Sequence, residues 1–175
     1  MAKPIFIDNC AFDALYELGI EPANIQSAGY EFWVTGEVLA EIDAIPDVDD
    51  KQAKKEWIKR VVTSEAVEER GYFGFAEAGD SYGFDQGLLA DLDQSHFLTE
   101  TAGQLGPERA TGFPKHHTDR LLLSHAICFA VITAEKRLGN ALLSEKALER
   151  GATIISLQDF NPEVETFIEF LCRHY

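Results

Sequence analysis

Short, wholly apolar runs alternate along the chain with stretches whose apolar positions return every three or four residues, a pattern that predicts buried strands and amphipathic helices in turn. Pro4-Ile5-Phe6-Ile7 is the first such run, closed by Asp8. Residues 11–18 read as a helix stopped at Gly19, residues 31–35 as a second strand, and residues 36–42 as a helix ended by Pro46. Asp49 or Asp50 is placed to cap a longer helix over residues 51–67, where Ala53, Trp57 and Val61 share one face. Further on, Thr118 is expected to cap a helix over residues 119–128, followed by a strand over 129–133. A helix over 140–150 then ends at Gly151, and residues 153–157 form a last strand. Asn161, Pro162 and Glu163 supply an N-cap, a first-turn proline and a first-turn acid for a terminal helix whose buried stripe is Val164, Phe167, Ile168 and Leu171. Strands alternating with helices predict a mainly parallel sheet in a three-layer α/β/α sandwich.

One segment breaks this grammar. Residues 71–112 are rich in glycine and acids, and two aromatic stretches, Tyr72 to Phe75 and Tyr82 to Phe84, flank Glu77 and Asp80. They read as a surface insertion with an aromatic hairpin and a short helix near residues 95–104, suited to stacking bases or meeting a second copy. The 175 residues fit one domain that builds a core without disulfides. Cys10, Cys128 and Cys172 are odd in number and widely spaced, so they are expected to be buried thiols in a reducing cytosol rather than a zinc site. No apolar stretch approaches the roughly 20 residues that span a bilayer, and Ala2-Lys3 leads straight into the first strand without a cleavable signal, so a cytoplasmic protein free of membrane is expected.

Charge narrows the function. Thirty Asp and Glu stand against fifteen Lys and Arg, a net charge of −15 that repels polyanions at long range. A nucleic-acid activity therefore requires a local basic patch, metal ions, or both. Two basic clusters exist, Lys51-Lys54-Lys55-Lys59-Arg60 and Lys115-His116-His117-Arg120, and Lys51, Lys54, Lys55, Lys115 and Arg120 are the expected phosphate contacts. The two histidines are adjacent, point apart and lack a spaced partner, so no metal site is assigned to them.

Four acids occupy recurrent places in the strand–helix grammar: Asp8 after the first strand, Glu41 in the helix after the second, Asp119 opening a later helix, and Glu135 after the following strand. In open parallel sheets ligands bind beyond the carboxyl ends of the strands. Carboxylates converging there are hard oxygen donors for Mg²⁺ or Mn²⁺, which activate water and stabilise charge in phosphodiester cleavage. Glu37, one turn before Glu41, is the alternative on that helix, and Asp43 and Asp159 are substitutes for Glu135.

Ile5-Phe6-Ile7-Asp8, the run from Val34 to Ile42, and the stretch from Thr118-Asp119 through Ile155 together resemble the PIN-domain family of metal-dependent ribonucleases, many of them toxins of toxin–antitoxin modules. The resemblance implies a parallel sheet in order 3-2-1-4-5, an acidic Mg²⁺ or Mn²⁺ site made by Asp8, Glu41, Asp119 and Glu135, and cleavage of single-stranded RNA by activated water. It also raises an antitoxin or other regulatory protein, and a homodimer, as partners. Thr133-Ala134-Glu135 stands where the family has Ser or Thr, any residue, then Asp; the glutamate keeps the charge on a side chain longer by one methylene. Cys10 stands two residues after the first acid, where the family often has Asn or Ser, with Asn9 beside Asp8. Two rival readings remain: a PIN-like binding or regulatory module without turnover, and a haloacid-dehalogenase-type phosphatase, which needs an Asp where Cys10 stands.

Overall fold

The computed structural model describes residues 2–46, 52–73, 83, 87–109 and 112–175. Five strands form an all-parallel sheet: β1 (Lys3–Ile7), β2 (Tyr30–Val34), β3 (Val67–Glu69), β6 (Ala130–Thr133) and β7 (Thr153–Ser156), in the order β3-β2-β1-β6-β7. Numbered among themselves these strands run 3-2-1-4-5, the order the resemblance implies, and flanking helices complete a three-layer sandwich. β4 (Gly71–Tyr72) and β5 (Gly87–Leu88) pair in parallel as a separate two-stranded ribbon.

β1 is the central strand, with Ile5 opposite Phe32 on one side and Ala130 on the other. Buried on both faces, it must be apolar throughout its inner length, and Ile5, Phe6 and Ile7 are fully buried. The helices are α1 (Asn9–Glu17), α2 (Ala23–Gln26), α3 (Gly36–Asp43), α4 (Gln52–Val62), α5 (Leu92–Thr101), α6 (His117–Cys128), α7 (Ala141–Glu149) and α8 (Phe167–His174). α6 packs on β1, β6 and β7 and carries α5 and α7 against it, while α1 meets α3 and α4. Among the described residues no helix is long and apolar enough to cross a membrane.

Several expectations shift. The long helix stops at Val62, and Val67 instead opens the edge strand β3, where Glu68 and Glu69 face solvent. The expected caps of that helix, Asp49 and Asp50, lie outside the described residues. The terminal helix begins four residues beyond Glu163, because Thr166 and Glu169 form a reciprocal capping box; Asn161 instead accepts from the Glu163 amide in a turn, and Val164 is exposed. Cys128 and Cys172 are exposed rather than buried, and all three cysteines are free.

The segment from residue 71 is less peripheral than its glycines and acids suggest. Tyr72, Phe97 and Leu98 belong to the main core, so α5 is a packed element rather than surface decoration. Tyr72 is stacked on His125 at 4.2 Å between ring centroids and shares a hydrogen bond with Ser124 at 2.7 Å, which withdraws its ring from any base-stacking role. The tips of the expected aromatic hairpin, Phe75 and Tyr82 among them, lie outside the described residues.

Candidate active site

Two loops at the carboxyl edge of the sheet, after β1 and β6, together with α3 and the first turn of α6 bring the acids together. Asp8 leaves β1 with its amide bonded to the Ile132 carbonyl of β6 at 3.0 Å, so its position is set by the two central strands. It occupies the N-cap position of α1 but does not cap it. Its Oδ2 instead accepts from the Cys10 thiol and the Thr133 hydroxyl, each at 2.8 Å. Thr133 is wholly buried at the end of β6, and its oxygen also accepts the Glu135 amide at 3.1 Å. One hydroxyl thus ties the first and fourth acids to the same point.

Glu41 reaches in from α3, whose start is fixed by Thr35 accepting from the Val38 amide. Its Oε1 accepts from the Thr118 hydroxyl at 2.7 Å. That contact corrects the expected role of Thr118, which does not cap α6. The N-cap residue is His116, held in the left-handed region at φ 67°, and its Nδ1 meets Asp119 Oδ2 at 3.1 Å. Gly139 passes so close that a Cβ there would stand 3.2 Å from the Asp119 Cβ, and its own φ of 65° favours glycine.

The four acids, with Asn9, Cys10, Arg109, His116 and Gly139, line one cavity of about 290 Å³. Its electrostatics are those of an anionic cluster that the Arg109 charge offsets only in part. Burial pushes the Asp8 carboxyl up to about 6, and the Asp119 charge adds to the rise against the bonds from Cys10 and Thr133. Glu41 is raised as well, first by burial and then by Asp119 after the opposing bond from Thr118; Arg109 and Asn9 also pull the other way. The Cys10 thiol is pushed up to about 12 by burial and by Asp8, so it stays protonated and is a donor rather than a nucleophile.

The remaining expected residues divide. Glu37 is buried and lines no part of this cavity, which favours Glu41 as the acid of α3. Asp159 sits exposed on the turn after β7, and Asp43 pairs with Lys59 at 3.6 Å; neither reaches the cavity. Lys51 lies outside the described residues. Lys54 is engaged by Asp13 and Glu17, and the buried Lys55 donates to the Ile45 carbonyl at 2.6 Å. Lys115 is exposed. Arg120 is almost wholly buried, donating to Thr101 Oγ1 and the Leu98 carbonyl, so it braces α5 against α6 and does not face a ligand. Arg109 is the cation that sequence reasoning passed over; the Gly and Pro residues around it, Gly106, Pro107, Gly112 and Pro114, were the available sign of a hairpin tip.

Oxygen donors of this kind suit a hard divalent cation. Among the described residues, however, no group of three or more His, Cys, Asp or Glu side chains stands in an arrangement that could hold a metal ion. The donor chemistry of the four carboxylates that line the cavity fits Mg²⁺ or Mn²⁺. No protein-family model matches the chain, and no curated protein matches its sequence.

Proposed function

We propose that the chain is a divalent-metal-dependent endoribonuclease acting on single-stranded RNA, with the acidic cavity as its site. One observation carries the reading: carboxylates from four separate places in the sequence line a single cavity at the carboxyl edge of a parallel sheet, where burial and mutual repulsion raise Asp8 and Glu41. A cluster of like charges is unfavourable unless a cation relieves it. The resemblance to PIN-domain ribonucleases supports the choice of substrate.

Asp8, Glu41, Asp119 and Glu135 would hold Mg²⁺ or Mn²⁺, which when bound supplies an activated water and neutralises charge on the phosphoryl oxygens. The chain's own work is positioning. Thr133 and Cys10 orient the Asp8 carboxylate, Thr118 orients Glu41, and His116 orients Asp119. The Cys10 thiol, held protonated, is not a ready covalent nucleophile.

A second reading, a PIN-like binding or regulatory module without turnover, is favoured by the lack of a ready-made metal arrangement among the described residues and by the exposure of Glu135. Glu135 separates the two. Its amide is pinned to Thr133 while its carboxylate is exposed, so the site is expected to be adapted to the longer side chain. Glu135→Asp then slows single-turnover cleavage of single-stranded RNA in Mn²⁺ a few-fold, and Glu135→Gln slows it about 100-fold, the scale of losing one electrostatic stabiliser. Equal rates for wild type and Glu135→Gln, with circular dichroism unchanged, would remove this residue from the site. No cleavage by any of the three proteins would leave the binding module.

A further inference from the structure

We propose that Arg109 is the substrate-binding residue of this cavity, its guanidinium taking the non-bridging oxygens of an RNA phosphodiester at the mouth of the acidic cluster. The inference rests on the ribonuclease reading above. Arg109 sits on a hairpin: the Gly106 amide donates to the Lys115 carbonyl at 3.0 Å, Lys115 to Pro107 at 2.9 Å, and Arg109 to Phe113 at 2.9 Å. Glu108 and Pro114 form the bridge between the two arms, and the Gly112 amide closes the turn on the Arg109 carbonyl. The backbone of Arg109 is therefore held on both sides, while the residue itself is exposed and lines the cavity.

Its charge is uncommitted. Most cations elsewhere in this acidic chain are taken: Lys59 by Asp43, Arg60 by Glu21, Lys146 and Arg150 by Glu100, and Arg173 by Glu165. At the cavity itself His116 is occupied with Asp119. Among the described residues the Arg109 guanidinium has no hydrogen bond or ion pair, although its charge is felt at Glu41. A guanidinium beside four carboxylates, yet bonded to none, is free to offer its planar fork to an oxyanion, and that fork matches two phosphate oxygens at once. The arrangement also meets a requirement of the charge balance, since a polyanion approaching a chain of net charge −15 needs a local cation at the point of entry.

The test uses the full chain carrying Glu135→Gln as a slow-turnover parent, in Mg²⁺, with a fluorescein-labelled single-stranded oligoribonucleotide read by anisotropy over a range of salt. Adding Arg109→Ala is expected to weaken binding about tenfold and to flatten the slope of log K against log salt by about 0.7, the release expected for one phosphate contact on a single strand. Arg109→Lys keeps the salt slope but loses part of the affinity, because an ammonium is a point charge without the fork. Lys146→Ala, which makes the same change in net charge far from the cavity, leaves both unchanged. In cleavage by the otherwise wild-type chain, Arg109→Ala raises KM more than it lowers kcat. A parent that binds the RNA with Arg109→Ala binding equally well at the same slope would overturn the inference and leave the nuclease reading standing. A wild-type chain that neither binds nor cleaves the RNA would overturn both.

Discussion

Asp8→Asn is expected to stabilise the metal-free protein at pH 8 by about 3 kcal/mol and to abolish the proposed divalent-dependent cleavage of RNA. The sign follows from the direction of the shift. Burial lifts the carboxyl from its ordinary 3.8 to about 6, so the fold binds the Asp8 proton more tightly than the unfolded chain does. The favourable contribution of the protonated form is complete below about 4 and is lost as pH rises to about 6, after which the penalty is constant. Asparagine keeps an oxygen to accept from Cys10 and Thr133 and removes the buried charge, so the variant's advantage is absent at pH 3.5 and full at pH 8. Urea unfolding at the two pH values in chelator measures it. A stability difference that does not grow with pH would show that Asp8 carries no buried-charge penalty, and full RNA cleavage by the purified variant would remove it from the site.

The second large effect lies in the core. His125 is completely buried between the rings of Phe6, at 4.1 Å, and Tyr72, at 4.2 Å, and its Nδ1 has no hydrogen-bond partner. Burial pushes it down to about 3, so it is neutral in the fold and ionises in the unfolded chain near 6.5. The stability it permits is present above about 6.5 and is lost as pH falls toward 3, a span worth roughly 5 kcal/mol. His125→Phe fills the same slot without a titrating or unpaired nitrogen. Its urea-unfolding free energy is expected to fall several kcal/mol less than wild type between pH 7 and pH 4, although protonation of Asp8 offsets part of the loss in both. Parallel pH profiles for the two proteins would show that His125 finds a partner for its charge.

These two residues also show what a sequence discloses. Asp8 was legible because it closes an uninterrupted apolar run, and ligands of open parallel sheets bind beyond the carboxyl ends of such strands. His125 was not, since an aromatic slot assembled from β1, β4 and α6 leaves no mark on any one of them. The same limit applies to Arg120. A charge near the start of a helix reads as a free phosphate contact until α5 docks; the short helix near residues 95–104 was expected, but not that Phe97 and Leu98 would carry it into the core. β3 was missed because three residues, two of them exposed glutamates, carry too little pattern to register as a strand. Thr118 misled for another reason. A hydroxyl before an acidic helix start is a cap by local rules, and only the approach of α3 turns it toward Glu41. The acids themselves were readable one by one, and Thr133 through the family pattern, whereas Thr118 and Cys10 took on their roles only through contacts across the fold.

The central claim, that this cavity binds a divalent metal, is tested most directly by titrating Mn²⁺ into the metal-free protein in a calorimeter, with Asp8→Asn and the distant Lys146→Ala alongside. Binding to the wild type and to Lys146→Ala, a rise in melting temperature that follows the occupancy, and loss of both in Asp8→Asn is the expected result. Heats and melting temperatures that are identical for wild type and Asp8→Asn, or no binding by the wild type at millimolar Mn²⁺, would contradict it.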